Sequence, residues 1–238
     1  TLARLGCRAC PLKQHDEVGP QGSRKAPVYV LGTAPTPRDA KRGRLFVGPA
    51  QRLLRNALPM DNDDDLRYGT VVRRVTEEEP SHIAMQCCRP KVEADIEAAK
   101  PKVIIGMGVP ALKWASKQSS LFLWRGRRFP IKVGDHTCWF APTYDPAVVY
   151  GMRRDDRPAE EEKQFGRDVS HAVANYEVWP DPVVHDKDDW WQGVTIISGK
   201  RGTADLKLLE RRIEEICVDT NIGLDLETNG LRPYKKGF

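Results

Sequence analysis

Residues 28–58, VYVLGTAPTPRDAKRGRLFVGPAQRLLRNAL, constrain the fold more than any other stretch. Four apolar, β-prone residues lead into Gly32. A proline-punctuated loop carrying Arg38, Lys41, Arg42 and Arg44 follows. From Gly48 onward Leu53, Leu54, Ala57 and Leu58 recur at helical spacing. A buried strand, a loop and a helix in that order make the repeating unit of α/β folds. In open sheets of that kind, ligands bind just beyond the carboxyl ends of the strands. The loop between Gly32 and Gly48 is therefore the first candidate for a site. A plain βα connection satisfies the same pattern, so position alone assigns no chemistry.

The alternation continues. Residues 68–75 read as a second strand, and a helix runs from about Ser81 to before Pro101. Residues 102–108 read as a third strand and 110–117 as a short helix. A fourth strand within 136–146 enters a second proline-bearing loop, and 159–177 read as a final helix. The expected fold is α/β, a doubly wound, mostly parallel four-stranded sheet over residues 1–178. Residues 179–192 read as a linker by composition. The pattern restarts over 193–238: a strand, Thr203 as N-cap of the helix ADLKLLERRIEEIC, then a strand in NIGLDLETNG. That second unit is too short for a domain and reads as the opening of one. The chain starts without Met and stops in mid-pattern at Phe238, so both ends read as cut from something longer.

The formal charge of +5 is uneven. Residues 181–238 carry 9 Lys/Arg against 11 Asp/Glu, which leaves 29 against 22 for residues 1–180. The basic excess of the first part points to a polyanion partner. Candidate contacts are Arg38, Lys41, Arg42 and Arg44 in the first loop, then Arg125, Arg127 and Arg128, then Arg153 and Arg154. A solvated surface explains the same residues without a ligand. No apolar run approaches the ~18 residues of a membrane span, and the N-terminus has no signal-peptide core. The expected location is the cytoplasm, that of a bacterial host if the protein is phage-encoded. In a reducing compartment the C-x-x-C pair Cys7 and Cys10 and the adjacent Cys87 and Cys88 favour metal over disulfide. Cys138 and Cys217 read as core. Asp225 and Glu227 lie two apart on a strand and share a face, an arrangement suited to Mg²⁺.

Taken together in order and spacing, GCRACPL (6–12), VYVLGTAP (28–35), RGRLFVGPA (42–50), CRP (88–90), VIIGMG (103–108) and TYDPAVV (143–149) resemble the family 4 type of uracil-DNA glycosylase. LDLETNGL (224–231) resembles the first metal-binding motif of a DnaQ-like, RNase H-like 3′–5′ exonuclease domain. A glycosylase-like domain ahead of such a motif is similar to the N-terminal region of bacteriophage-type family A DNA polymerases. The resemblance implies DNA and the downstream polymerase region as partners, with other replication proteins possible. It also implies a [4Fe–4S] cluster on four cysteines. Cys7, Cys10 and Cys88 match that set, the remaining position falls near Arg74, and Cys87 is the nearby thiol that could replace it; zinc suits the same four. Mg²⁺ at Asp225 and Glu227 requires carboxylates beyond Phe238.

A base-excising enzyme flips the nucleotide, stacks its base, reads its edge and stabilises the charge that develops as the bond breaks. Phe46 matches the family's stacking residue. The other positions depart. Thr33 stands where the family has a catalytic Glu, and Thr70 where an Asn reads uracil. Asp145-Pro146-Ala147 stands where a His stabilises the leaving anion. A carboxylate beside a developing anion opposes oxyanion stabilisation, and one such lost contact costs ~10²–10³ in rate. The expectation is a DNA-binding or scaffolding domain impaired in uracil excision. Two rivals stand beside it: an active glycosylase of altered specificity with Asp145 as its base, and a protein-docking module. Asp145 also reads simply as a turn residue before proline.

Overall fold

The computed structural model describes residues 2–58, 63–153 and 160–184, with six helical positions between 207 and 214. The chain divides into two compact units, Thr1–Val184 and His185–Phe238. In the second, Lys207, Leu208, Glu210, Arg211, Ile213 and Glu214 are helical, inside the span where a helix is expected. Thr203, Asp225 and Glu227 lie outside the described residues.

In chain order the first unit contains α1 (Leu2–Leu5), β1 (Gln21–Gly22), β2 (Val28–Gly32), α2 (Pro37–Arg42), α3 (Pro49–Ala57), β3 (Leu66–Thr70) and α4 (His82–Ala99). There follow β4 (Val103–Met107), α5 (Gly108–Ser116), α6 (Leu121–Trp124), β5 (Phe129–Val133), β6 (His136–Thr143), α7 (Pro146–Gly151) and α8 (Glu160–Val173). Short 3₁₀ turns occur at Gly6–Arg8, Asp63–Asp65 and Tyr176–Val178.

The sheet is six-stranded and mixed, in the order β1-β3-β2-β4-β6-β5. The four strands expected from the sequence are its parallel centre, with Val28 in register with both Leu66 and Val103. The expected four-stranded sheet is corrected by two antiparallel edges, β1 and β5. The second strand also sits earlier than expected, ending at Thr70 rather than Val75. β2 and β4 are buried along their whole length. Continuous apolar runs such as VYVLG and VIIGM are what parallel strands covered on both faces require. Alternate side chains then supply two cores. Tyr29, Leu31, Ile104 and Phe140 meet Val92, Ile96 and Trp114 of α4 and α5. Val28, Val30, Ile105 and Ala141 meet Leu54, Val149, Phe165 and Val169 of α3, α7 and α8.

α4 begins where its sequence says it should. Ser81 is the N-cap, accepting from the Ala84 N–H. Across the first core, the Asp95 carboxylate of α4 accepts from the Tyr29 hydroxyl at 2.8 Å and from Arg67 Nε at 3.0 Å. Arg67 also donates to the Gly22 carbonyl at 2.9 Å. Three strands and a helix are thus tied together through Arg67 and the part-buried Asp95 carboxylate. Gly69 is part of the same device, because a side chain there would overlap the Tyr29 hydroxyl. At the other end, the start of the expected linker packs on the first unit: Trp139 Nε1 donates to the Pro180 carbonyl at 3.1 Å, and Trp179 meets the Trp139 ring edge-on.

Candidate nucleic-acid site

The loop after β2 folds into a closed structure around a residue the sequence reading did not single out, Asp39. One of its oxygens accepts from the Thr36 N–H at 2.8 Å and the Thr36 hydroxyl at 2.7 Å; the other accepts from the Val47 N–H at 2.8 Å. Thr36 accepts in turn from the Asp39 N–H, a reciprocal capping box that starts α2. A second clamp comes from β1. The Gln21 side-chain amide donates to the Gly43 carbonyl at 2.7 Å and accepts from the Leu45 N–H at 3.1 Å. Phe46 lies between these pinned neighbours with φ of 56°. A left-handed phenylalanine costs about 1–2 kcal/mol, so the clamps impose it. Its ring lies over Gly32 at the end of β2, so close that a Cβ on Gly32 would come within 2.7 Å of it. The Tyr68 ring is 5.7 Å away.

Phe46 is one wall of a cavity of about 480 Å³, and Thr33, Thr70, Asp145, Pro146 and Tyr150 line it too. The four base-pocket residues expected from the sequence, Thr33, Phe46, Thr70 and Asp145, therefore line one cavity at the carboxyl ends of the parallel strands. The volume suits a ligand of nucleobase to nucleoside size. The Thr70 hydroxyl is buried and has no hydrogen-bond partner among the described residues. Buried polar groups are normally paired, so this hydroxyl is available to a ligand in the cavity.

Asp145 has a structural occupation. It is the N-cap of α7, and its Oδ1 accepts from the Ala147 N–H at 2.8 Å. Its Oδ2 accepts from the Thr33 hydroxyl at 3.2 Å; that hydroxyl also lies 3.4 Å from the Met107 carbonyl. Burial raises the Asp145 carboxyl above its usual range, and the backbone N–H groups and Thr33 oppose the rise. A carboxyl raised by folding is favoured in its protonated form by the native state. It contributes full stability below the ordinary Asp range near ~4 and loses it as pH climbs through the raised native value. Asp145→Asn keeps the cap and removes the charge. We expect the variant to gain stability over wild type as pH rises from about 4 through the raised native value, with the gap constant above it. Urea unfolding at a series of pH values reads it, and a gap that widens toward acid would contradict the assignment.

Among the described residues the basic candidates separate into three groups. Arg38, Arg42 and Arg44 line one depression together with Arg52 and Arg55 of α3, both absent from the sequence reading. The signal was there: the two arginines are three residues apart on one helix and face one way. Lys41 and Arg127 are exposed. The others are engaged in the protein itself. Arg125 pairs with Asp168 at 3.1 Å and stacks on Tyr144. Arg128 stacks on Trp179 at 3.8 Å, and Arg153 pairs with Glu162 at 2.7 Å. Arg154 lies outside the described residues.

The cysteines converge from far apart in the chain. Cys7 and Cys10 in the N-terminal turns come against α4, where Cys87 and Cys88 are both 2% exposed. Cys10 and Cys7 lie near enough to Cys87 to add to the rise of its thiol. The Arg73 N–H donates to Cys88. Burial pushes the Cys87 and Cys88 thiols up. Four thiols suit a [4Fe–4S] cluster or zinc in kind. Yet among the described residues no group of three or more His, Cys, Asp or Glu side chains is gathered around a common point that could hold a metal ion. Arg74, at the remaining family position, is a brace: it donates to the His15 carbonyl at 2.6 Å and pairs with Glu17 at 3.0 Å. Cys138 is fully buried in β6, as expected of core; Cys217 lies outside the described residues.

The fold is α/β, with a cavity of nucleobase to nucleoside size and a basic rim at the carboxyl ends of its parallel strands. The comparisons narrow this. The description "Uracil DNA glycosylase superfamily" matches residues 20–166, and the chain belongs to that superfamily. It is 28% identical over 157 residues to a type-4 uracil-DNA glycosylase of Sulfurisphaera tokodaii, covering 61% of this chain and 71% of that protein. It is 31% identical over 154 residues to one of Pyrobaculum aerophilum, covering 60% and 79%. It is also 27% identical over 117 residues to a DNA polymerase of Bacillus phage SP01, covering 47% of this chain and 13% of the polymerase. No helix among the described residues is long and apolar enough to cross a membrane.

Proposed function

We propose that the first unit holds DNA with a base-sized group in the Phe46 cavity, does not excise uracil at an appreciable rate, and forms the N-terminal region of a DNA polymerase. The observation that carries the loss of excision is the Thr33–Asp145 hydrogen bond. The two residues that replace the family's catalytic Glu and anion-stabilising His are bonded to each other, and Asp145 is further committed to capping α7. A hydroxyl is no base at neutral pH, and a carboxylate already accepting from the Ala147 N–H and the Thr33 hydroxyl is a weakened base that does not stabilise a leaving anion. Binding is supported by the stacking ring of Phe46, which matches the family, together with the unpartnered Thr70 hydroxyl in the cavity and the basic loop.

The polymerase context is supported by the similarity to the phage enzyme and by the resemblance of LDLETNGL to an exonuclease metal motif. In that setting Asp225 and Glu227 would bind Mg²⁺ with carboxylates supplied by later sequence. Cys7, Cys10, Cys87 and Cys88 would hold a [4Fe–4S] cluster or zinc once their sulfurs close on one point. Such a centre would tie the N-terminal turns to α4, and no catalytic step passes through it. The test is single-turnover excision of uracil-containing DNA at enzyme excess, alongside binding of the same DNA. Retention without abasic-site formation is expected; excision abolished by Asp145→Asn would establish the altered glycosylase instead.

A further inference from the structure

We propose that Arg38, Arg42, Arg44, Arg52 and Arg55 form an anchor for successive phosphates of the DNA strand whose nucleotide occupies the adjoining cavity. This rests on the DNA-binding reading above and extends it to a defined track along α3. The five guanidinium groups come from α2, the loop after it and α3, and line a depression of about 560 Å³. Arg38, Val47 and Gly48 line both this depression and the Phe46 cavity. A strand with one nucleotide in the cavity therefore lays its neighbouring phosphates into the depression without a detour.

Three observations favour phosphate over a solvated basic surface. Among the described residues Arg38, Arg42, Arg44 and Arg52 have no acidic or hydrogen-bonding partner, whereas Arg125, Arg128 and Arg153 are engaged in ion pairs or stacking. Arg38, Arg42, Arg44 and Arg52, facing one concavity, repel each other unless an anion sits among them. All five are arginine, whose planar fork meets phosphate oxygens in pairs. The loop clamps at Asp39 and Gln21 fix this bowl as well as Phe46, so base and phosphate sites are held at one spacing.

The probe is a 5′-labelled 12-nucleotide single strand with central uracil, followed by fluorescence anisotropy between 50 and 300 mM salt. For single strands log K falls with log salt by about 0.7 per neutralised phosphate. The double variant R52Q/R55Q is expected to lower affinity at least tenfold at 100 mM salt and to flatten the slope by about 0.7–1.4. Phe46→Ala is expected to weaken binding with the slope unchanged, and Lys132→Gln, on the edge strand β5, to change neither. Inorganic tripolyphosphate is expected to compete only at far higher concentration than unlabelled strand. R52Q/R55Q with wild-type affinity and slope would overturn the anchor and leave DNA binding standing. Tripolyphosphate binding as tightly as the strand would overturn the strand reading in favour of a compact polyphosphate site. Failure of the wild-type protein to bind DNA would overturn both readings.

Discussion

Asp39→Ala is expected to lower stability by about 3 kcal/mol and to abolish the Phe46 cavity. Asp39 is 4% exposed, and its carboxylate accepts three hydrogen bonds that close the loop between Thr36 and Val47. Bonds to a buried charged acceptor contribute about 1.5–3 kcal/mol each, and they are not additive. Without them the Thr36 and Val47 N–H groups lose their acceptor, and the left-handed backbone of Phe46 loses one of its two clamps. In a unit of this size 1 kcal/mol moves the midpoint by roughly 2–4 °C, so a fall of about 6–12 °C follows. Asp39→Asn retains an acceptor and should recover part of the loss. Calorimetry of the three proteins decides it; an Asp39→Ala protein within about 1 kcal/mol of wild type would show that the loop is held by other contacts.

Asp95→Ala is expected to cost more, about 3–5 kcal/mol, because it strands a buried charge. The Arg67 side chain is 6% exposed and faces Asp95 directly. Removing the carboxylate also leaves the Tyr29 hydroxyl unpaired on the same core face. Replacing both partners with apolar residues, Arg67→Met with Asp95→Leu, should be milder than Asp95→Ala alone, since no uncompensated charge remains. Denaturant unfolding of the single and double variants measures this. A double variant worse than the single would mean that the ion pair itself, and not the stranded arginine, dominates.

The strongest local patterns in the chain were legible. Val28–Gly32 and Val103–Met107 are short apolar runs closed by turns, and both are central strands. Ser81 marks the start of α4 by the chemistry of its hydroxyl. What escaped was set by distant partners. β1 is two residues long and exists because it pairs with β3 at Tyr68 and Arg67. β5 contains Pro130, which argues against an interior strand but suits an edge. Its hairpin to β6 was signalled by Gly134-Asp135.

The site shows the same division. The motif positions Thr33, Phe46, Thr70 and Asp145 line one cavity: Thr33, Thr70 and Asp145 sit at or just beyond strand ends, and Phe46 is set by the clamps at Asp39 and Gln21. Charge alone could not separate Arg38, Arg42 and Arg44, which share a bowl, from Arg125, Arg128 and Arg153, which are held by the protein's own side chains. Asp39 was invisible for a related reason. Its role depends on Val47 and the Phe46 backbone, eight and seven residues away across a turn.

Binding without excision is tested directly by one measurement. Purified protein in excess is incubated with a labelled strand containing one uracil, and abasic sites are scored by alkaline cleavage while retention of the strand is read on the same sample. A retained, salt-sensitive strand with no cleavage above the uncatalysed background is expected. Efficient cleavage by wild type, lost in Asp145→Asn, would contradict it and make Asp145 a working base rather than the cap of α7.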